Sequence, residues 1–251
     1  TEAFSVEEEV YVGLKELSQR AGVTLFITLL TAFVTLLHLH TGDEDISVGT
    51  DVANRTRGET EGLIGFFVNQ LVIRADMSGD PAFLAMLKRM REVILEAYNY
   101  QDVPFDVLVE AINPIRSPKH APLFQVKILL QDALKMRVEL EDVTITPVDI
   151  GRSTAQLDLI VNLINTSEYL IGQADYSLDV FKHQDVVRLI ANFKALLRSI
   201  VADPERRLSQ LSRLSENETG GYEPGDFVDA GLTQSEFDNL IMEIGAEPVP
   251  E

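Results

Sequence analysis

The chain is 251 residues long, 45% hydrophobic and 24% charged, a composition that supports one large folded domain or two small ones. Its net charge of −19 argues against nucleic acid and against an anionic membrane surface, because both are bound through clusters of Lys and Arg. Cysteine is absent, which excludes disulfides, thiolate metal sites and cysteine nucleophiles and fits a reducing, cytoplasmic setting.

The N-terminal run TEAFSVEEEV lacks the basic-then-apolar pattern of a signal peptide. Ser5 and Glu8 have capping-box spacing, and Val10, Leu14, Leu17 and Ala21 recur at helical spacing up to Gly22. A second helix is predicted from Thr24 to Thr41, ending at Gly42; it is apolar on most faces, as a buried core helix is. Its apolar part is shorter than the ~20 residues that span a bilayer. The β-branched run Asp45–Val52 predicts a strand, Gly58–Gly65 a polar loop, and Phe67–Arg74 a second strand.

Helices are predicted over Ala82–Asn99 and again from Pro104. Beyond Pro122 the pattern turns to strands at Phe124–Leu130, Val138–Pro147, Leu157–Ile164 and Tyr169–Tyr176, then to a helix at Phe181–Val201. Helices and strands mixed through one segment predict a layered α/β domain. From Leu214 onward the chain holds ten acidic residues and no Lys or Arg. That stretch does not belong in a core. Within it Thr233–Glu236 is a capping box, and Phe237, Leu240, Ile241 and Ile244 mark one face of an acidic amphipathic helix.

Three motifs carry the functional signal. They are IGFFVNQLVIR, with Gly65, Phe67, Asn69 and Arg74; QDVPFD, with Gln101, Asp102, Pro104 and Phe105; and RSPKHAPLF, with Arg116 and Pro122. Their order, together with DISVGTDVANR and TAQLDL, resembles the later signature motifs of condensation domains in nonribosomal peptide synthetases, over roughly Phe4–Leu211. The resemblance implies a chloramphenicol-acetyltransferase-like α/β lobe, a mixed sheet packed with helices. It divides the chain into 1–211, a C-terminal subdomain, and 212–251, an acidic linker and tail helix.

The family's catalytic motif, two adjacent histidines followed by three residues and Asp-Gly, is missing. His38, His40, His120 and His183 stand apart from one another. The chain therefore resembles the C-terminal lobe alone, with no catalytic residue of its own and no condensation activity in isolation. The implied partners are the N-terminal lobe of the same domain and the donor and acceptor peptidyl carrier proteins, which deliver phosphopantetheine arms; no cofactor is bound directly.

Asn54 and Asn69 are uncharged donor–acceptor groups suited to amides and tether carbonyls, with capping or turn bonding as the structural alternative. Arg55 and Arg74 suit structural ion pairs. Asp102 is placed to cap the helix that begins at Pro104. His38 and His40 lie at a helix C-terminus, where positive charge is favourable, and no metal-ligand spacing is present. The tail from Tyr222 to Phe227 and beyond resembles a communication-mediating docking segment that would contact a downstream synthetase subunit. The resemblance leaves as alternatives a non-catalytic platform or docking module, an ester-forming homologue and an epimerising homologue, the last disfavoured by IGFFVN.

Overall fold

The first element is a strand, β1 (Glu2–Val6), where the sequence predicts a helix cap. Ser5 is paired with Ile171 in a ladder and cannot serve as cap; α1 (Glu8–Ala21) starts behind Glu7 with no side-chain cap bond. The computed structural model describes residues 1–55, 57–114, 121–132, 155–166 and 168–211. The predicted strand Val138–Pro147, the tail helix, Arg116 and His120 lie outside the described residues.

Helix α2 (Leu25–Thr41) forms as the sequence predicts. Thr24 Oγ1 accepts the Ile27 N–H at 3.3 Å, and residues 27 to 36 are all buried. Three threonines survive in that environment because their hydroxyls find partners within the helix layer. Thr31 and Thr35 donate to the carbonyls four residues back at 2.6 and 2.8 Å, and Thr28 meets Ser18 of α1 at 2.7 Å.

Strand β2 (Asp45–Val52) has the predicted bounds. A single helical turn, α3 (Gly58–Glu61), occupies part of the predicted loop. Strand β3 (Asn69–Asp76), β4 (Val126–Asp132) and β5 (Leu159–Asn165) each begin two residues later than the apolar runs that announce them. The long helix α4 (Phe83–Asn99), the short α5 (Phe105–Ile112), strand β6 (Leu170–Tyr176) and α6 (His183–Ala202) complete the set.

The strands form one mixed sheet in the order β1-β6-β5-β4-β2-β3. The β2–β4 and β4–β5 pairs are parallel and the others antiparallel. Between β2 and β4 the register holds a single pair, Gly49 with Lys127. Side chains that alternate along the strands divide the sheet into two faces. Phe4, Val48, Ile73, Ile128, Val161 and Leu163 are buried in the core with α1, α2, α4 and α6, and Phe33 meets Phe193 edge-on across α2 and α6 at 6.1 Å. Gly49, Asp51, Lys127 and Ile160 alternate with these and point to the opposite face.

At the end of the described chain Leu208 and Leu211 are buried, and Asp80 accepts the backbone N–H and hydroxyl of Ser209 at 2.8 and 2.9 Å. This fastens the segment after α6 to the start of α4, where Phe83 donates to the Arg206 carbonyl at 2.9 Å. Among the described residues no single helix is long and apolar enough to cross a membrane.

Candidate functional site at the β2, β3 and β4 seam

Asn69 is the hub at which two motifs meet. Its Nδ2 donates to the carbonyls of Gln101 and Val103 at 2.8 and 2.7 Å, and its Oδ1 accepts the Phe105 N–H at 3.1 Å. Both amide donors are thus committed inside the chain, in a residue 9% exposed. The arrangement corrects the expected role of Asp102. Helix α5 starts behind Pro104 with no cap bond from a neighbouring side chain, and the exposed N–H of its first residue is satisfied by Asn69 from another strand.

The third motif joins the first two through packing. Phe124 is 2% exposed and stands 5.5 Å, ring centre to ring centre, from Phe105. A Cβ built on Gly49 would meet the Phe124 ring at 2.3 Å, so only glycine lets β2 pass beneath it. Phe124 also donates to the Pro122 carbonyl at 2.9 Å across Leu123, which holds a left-handed φ of +69°. A leucine in that region is uncommon and costs backbone strain of about 1–3 kcal/mol, which tight packing of Phe124 offsets.

Among the described residues Arg55 does not form the expected ion pair. Its guanidinium donates to the carbonyls of Thr60, Glu61 and Gly65 and lies 4.2 Å from the Phe67 ring centre. It therefore staples the 57–65 loop to Phe67 through hydrogen bonds and a cation–π contact. The loop it anchors carries Ile64 and Phe66 fully or nearly fully in solvent, at 105% and 90% exposure. Asn54, which follows β2, takes a left-handed φ of +50°, a conformation asparagine tolerates better than most residues.

Lys127 and Asp51, neither singled out by sequence reasoning, form an ion pair at 2.8 Å on the face opposite the helices. Arg74 does form its predicted ion pair. Nε and Nη2 reach the Asp45 carboxylate at 2.8 and 2.6 Å, and that contact holds Asp45 below the ordinary carboxylate range. It lies at the far end of β3 from Asn69, exposed, so the motif's terminal arginine belongs to the scaffold.

The described histidines lie away from this seam. His38 Nδ1 is 2.7 Å from the Asp43 carbonyl at the end of α2. His40 Nε2 lies 3.2 Å from Asn192 Nδ2, and burial followed by the charge of Arg188 holds the imidazole below its ordinary value of 6.5. His183 Nδ1 is 2.9 Å from Glu2 Oε1. Among the described residues no group of three or more His, Asp or Glu could hold a metal ion.

Comparison with known proteins agrees with this architecture. Residues 1–220 match the Condensation domain family. The chain is 39% identical over 215 residues to chondramide synthase cmdD of Chondromyces crocatus, covering 86% of this chain and 6% of the relative. It is 37% identical over 212 residues to malpinin synthetase of Mortierella alpina, covering 84% of this chain and 3% of that protein. The chain thus spans only a small part of the relatives it matches. Among solved structures, the X-domain from teicoplanin biosynthesis in complex with OxyB superposes with a TM-score of 0.75 at 26% identity, covering 83% of this chain and 47% of that one. A four-domain nonribosomal peptide synthetase bound to AMP and glycine superposes with a TM-score of 0.76 at 24% identity, over 83% of this chain and 17% of that one. With its mixed sheet and helices, and with the described parts of its three motifs meeting through Asn69, Phe105 and Phe124, this chain belongs to the condensation-domain family of the nonribosomal peptide synthetases.

Proposed function

We propose that the chain is the C-terminal lobe of a condensation domain and forms one wall of the tunnel in which two carrier-bound thioesters react. The amine of the acceptor attacks the donor carbonyl; a C–N bond forms, the C–S bond breaks, and the released thiol takes up the proton the amine loses. Such a reaction needs proximity, management of that proton and stabilisation of the oxyanion. This chain, with no two of its four histidines adjacent, supplies the wall and the contacts with the carrier proteins. The phosphopantetheine arms arrive on donor and acceptor carriers.

The observation that carries this reading is the loop bearing Ile64 and Phe66. Two large apolar side chains stand in solvent on a loop that Arg55 ties to Phe67, shortly before the Asn69 hub. Exposed apolar groups that stand together, as Leu63, Ile64, Phe66 and Val68 do here, mark an interaction surface. The N-terminal lobe of the same domain is the partner that the missing histidine motif calls for. In a single-turnover assay with loaded carriers, product is expected when an N-terminal lobe is co-expressed with this chain, and none from the chain alone. Product from the 251 residues alone would defeat the reading.

The likeness to the teicoplanin X-domain, whose solved complex holds OxyB, favours a second reading as a non-catalytic platform. Absence of product with both lobes present and folded would support it. The tail beyond the family match, with Phe237, Leu240, Ile241 and Ile244 on one face, would dock on a basic surface of a downstream synthetase subunit.

A further inference from the structure

Lys127 is the one charged residue in the buried set of the described chain, at 6% exposure. Its register partners, Gly49 and Ile160, place it on the face opposite the helix layer. An ammonium group has three N–H donors. Here it has one partner, Asp51 Oδ1 at 2.8 Å, and its other donors have none among the described residues. A buried charge left with unused donors is costly, so a site of this kind favours any group that supplies the missing acceptor.

The chemistry of the pair selects that group. Asp51, 28% exposed at its side chain, already neutralises Lys127, and its Oδ2 has no hydrogen-bond partner among the described residues. An anion entering here would meet the carboxylate; a neutral carbonyl oxygen would satisfy the ammonium without adding charge. Asn54 follows three residues after Asp51, just beyond the end of the same strand. Asn69, the other amide on the seam, has both donors committed to Gln101 and Val103.

We propose that Lys127, oriented by Asp51, is a positioning residue that donates to carbonyl oxygens of an extended, amide-bearing chain, a pantetheine arm being the chemical type. This rests on the reading of the face opposite α1, α2, α4 and α6 as a tunnel wall. The alternative is a purely structural clasp across the single β2–β4 register pair.

The two are separated by titrating the isotopically labelled 251-residue chain with pantetheine and following the backbone amides of Gly49, Asp51 and Lys127 by NMR. The expected result is a set of saturable shifts at these amides in the natural chain, and binding at least about tenfold weaker in Lys127→Met, a loss of some 1.4 kcal/mol. Lys127→Met keeps an unbranched apolar stem and leaves behind a carboxylate that still reaches water, so its fold is expected to survive. Asp51→Asn supplies a second variant. It retains the ammonium, so pantetheine shifts should persist while acetate gains affinity. No shifts in the natural chain, equal shifts in Lys127→Met, loss of pantetheine binding in Asp51→Asn, or equal response of the natural chain to acetate would each overturn the assignment. A negative result here leaves the two-lobe condensation assay intact, and a negative result there leaves pantetheine binding measurable.

Discussion

The carboxamide oxygen of Asn69 caps a helix that begins thirty-six residues further along the chain, accepting the N–H of Phe105 at 3.1 Å. With its two donors on the Gln101 and Val103 carbonyls, this one side chain closes the loop that leads into α5. Asn69→Ala would strand two carbonyls and one N–H together. Each such group costs about 1–3 kcal/mol when it is left unsatisfied in the interior, and partial hydration of this loop moderates the sum to an expected ~2–4 kcal/mol. Urea unfolding monitored by circular dichroism would measure it. An effect within experimental error would refute the clamp.

Gly49 and Phe124 give a second prediction, on packing. Gly49→Ala places a methyl group where the ring already is, at 2.3 Å. Overpacking of this sort costs about 1–3 kcal/mol. Removing the ring in the double variant Gly49→Ala with Phe124→Ala should give a loss smaller than the sum of the two single losses, because the clash disappears with its partner. Additive losses would mean that the two residues are not coupled.

Ile64→Ser with Phe66→Ser should leave the melting temperature of this chain close to that of the natural sequence, since neither side chain is buried. The same double variant should abolish association with an N-terminal lobe in analytical ultracentrifugation. Unchanged association would remove the observation on which the functional proposal stands.

The pH dependence follows from His40. Burial and Arg188 lower its folded-state value below 6.5, so the folded chain binds fewer protons at this site than the unfolded chain. Stability therefore rises with pH through the window just below 6.5 and levels off beneath the folded-state value. Thermal melts of His40→Gln should lose part of the natural chain's decline on acidification. An identical pH profile in the variant would show that the imidazole plays no part.

Removing residues 232–251 takes away the apolar residues Phe237, Leu240, Ile241 and Ile244 along with half of the tail's acidic residues. Affinity for a downstream synthetase subunit, measured by calorimetry at low and high salt, should fall on truncation, and binding of the natural chain should weaken with salt. Unchanged affinity would count against docking.

How far the sequence reveals this arrangement differs from residue to residue. Helix α2 and strand β2 are legible because each has a local signal: the Thr24 cap and an apolar surface on most faces in one, a β-branched run in the other. The two-residue offsets at β3 and β4 have a common physical origin. Phe67 and Phe124 read as strand residues, yet one lies under Arg55 and the other over Gly49, contacts made with residues distant in sequence. Strand β1 is missed because Ser5 and Glu8 mimic a helix start, while its partner β6 lies some 165 residues away, as in Ser5 with Ile171. The motifs' positions are legible, but the partners of Asn69 are set by tertiary contacts. Lys127 and Asp51 did leave a trace, since each is a charge set within a predicted strand, in VKILL and VGTDV.

The single register pair between β2 and β4 has a consequence for how this sheet moves. Strands joined by continuous ladders share many register pairs, whereas among the described residues the β2–β3 pair meets the rest of the sheet at one, Gly49 with Lys127. Amide exchange should reach that junction before it reaches the longer ladders on either side. The buried lysine thus stands at the thinnest ladder of the described sheet, where the fewest backbone hydrogen bonds join one part to the other.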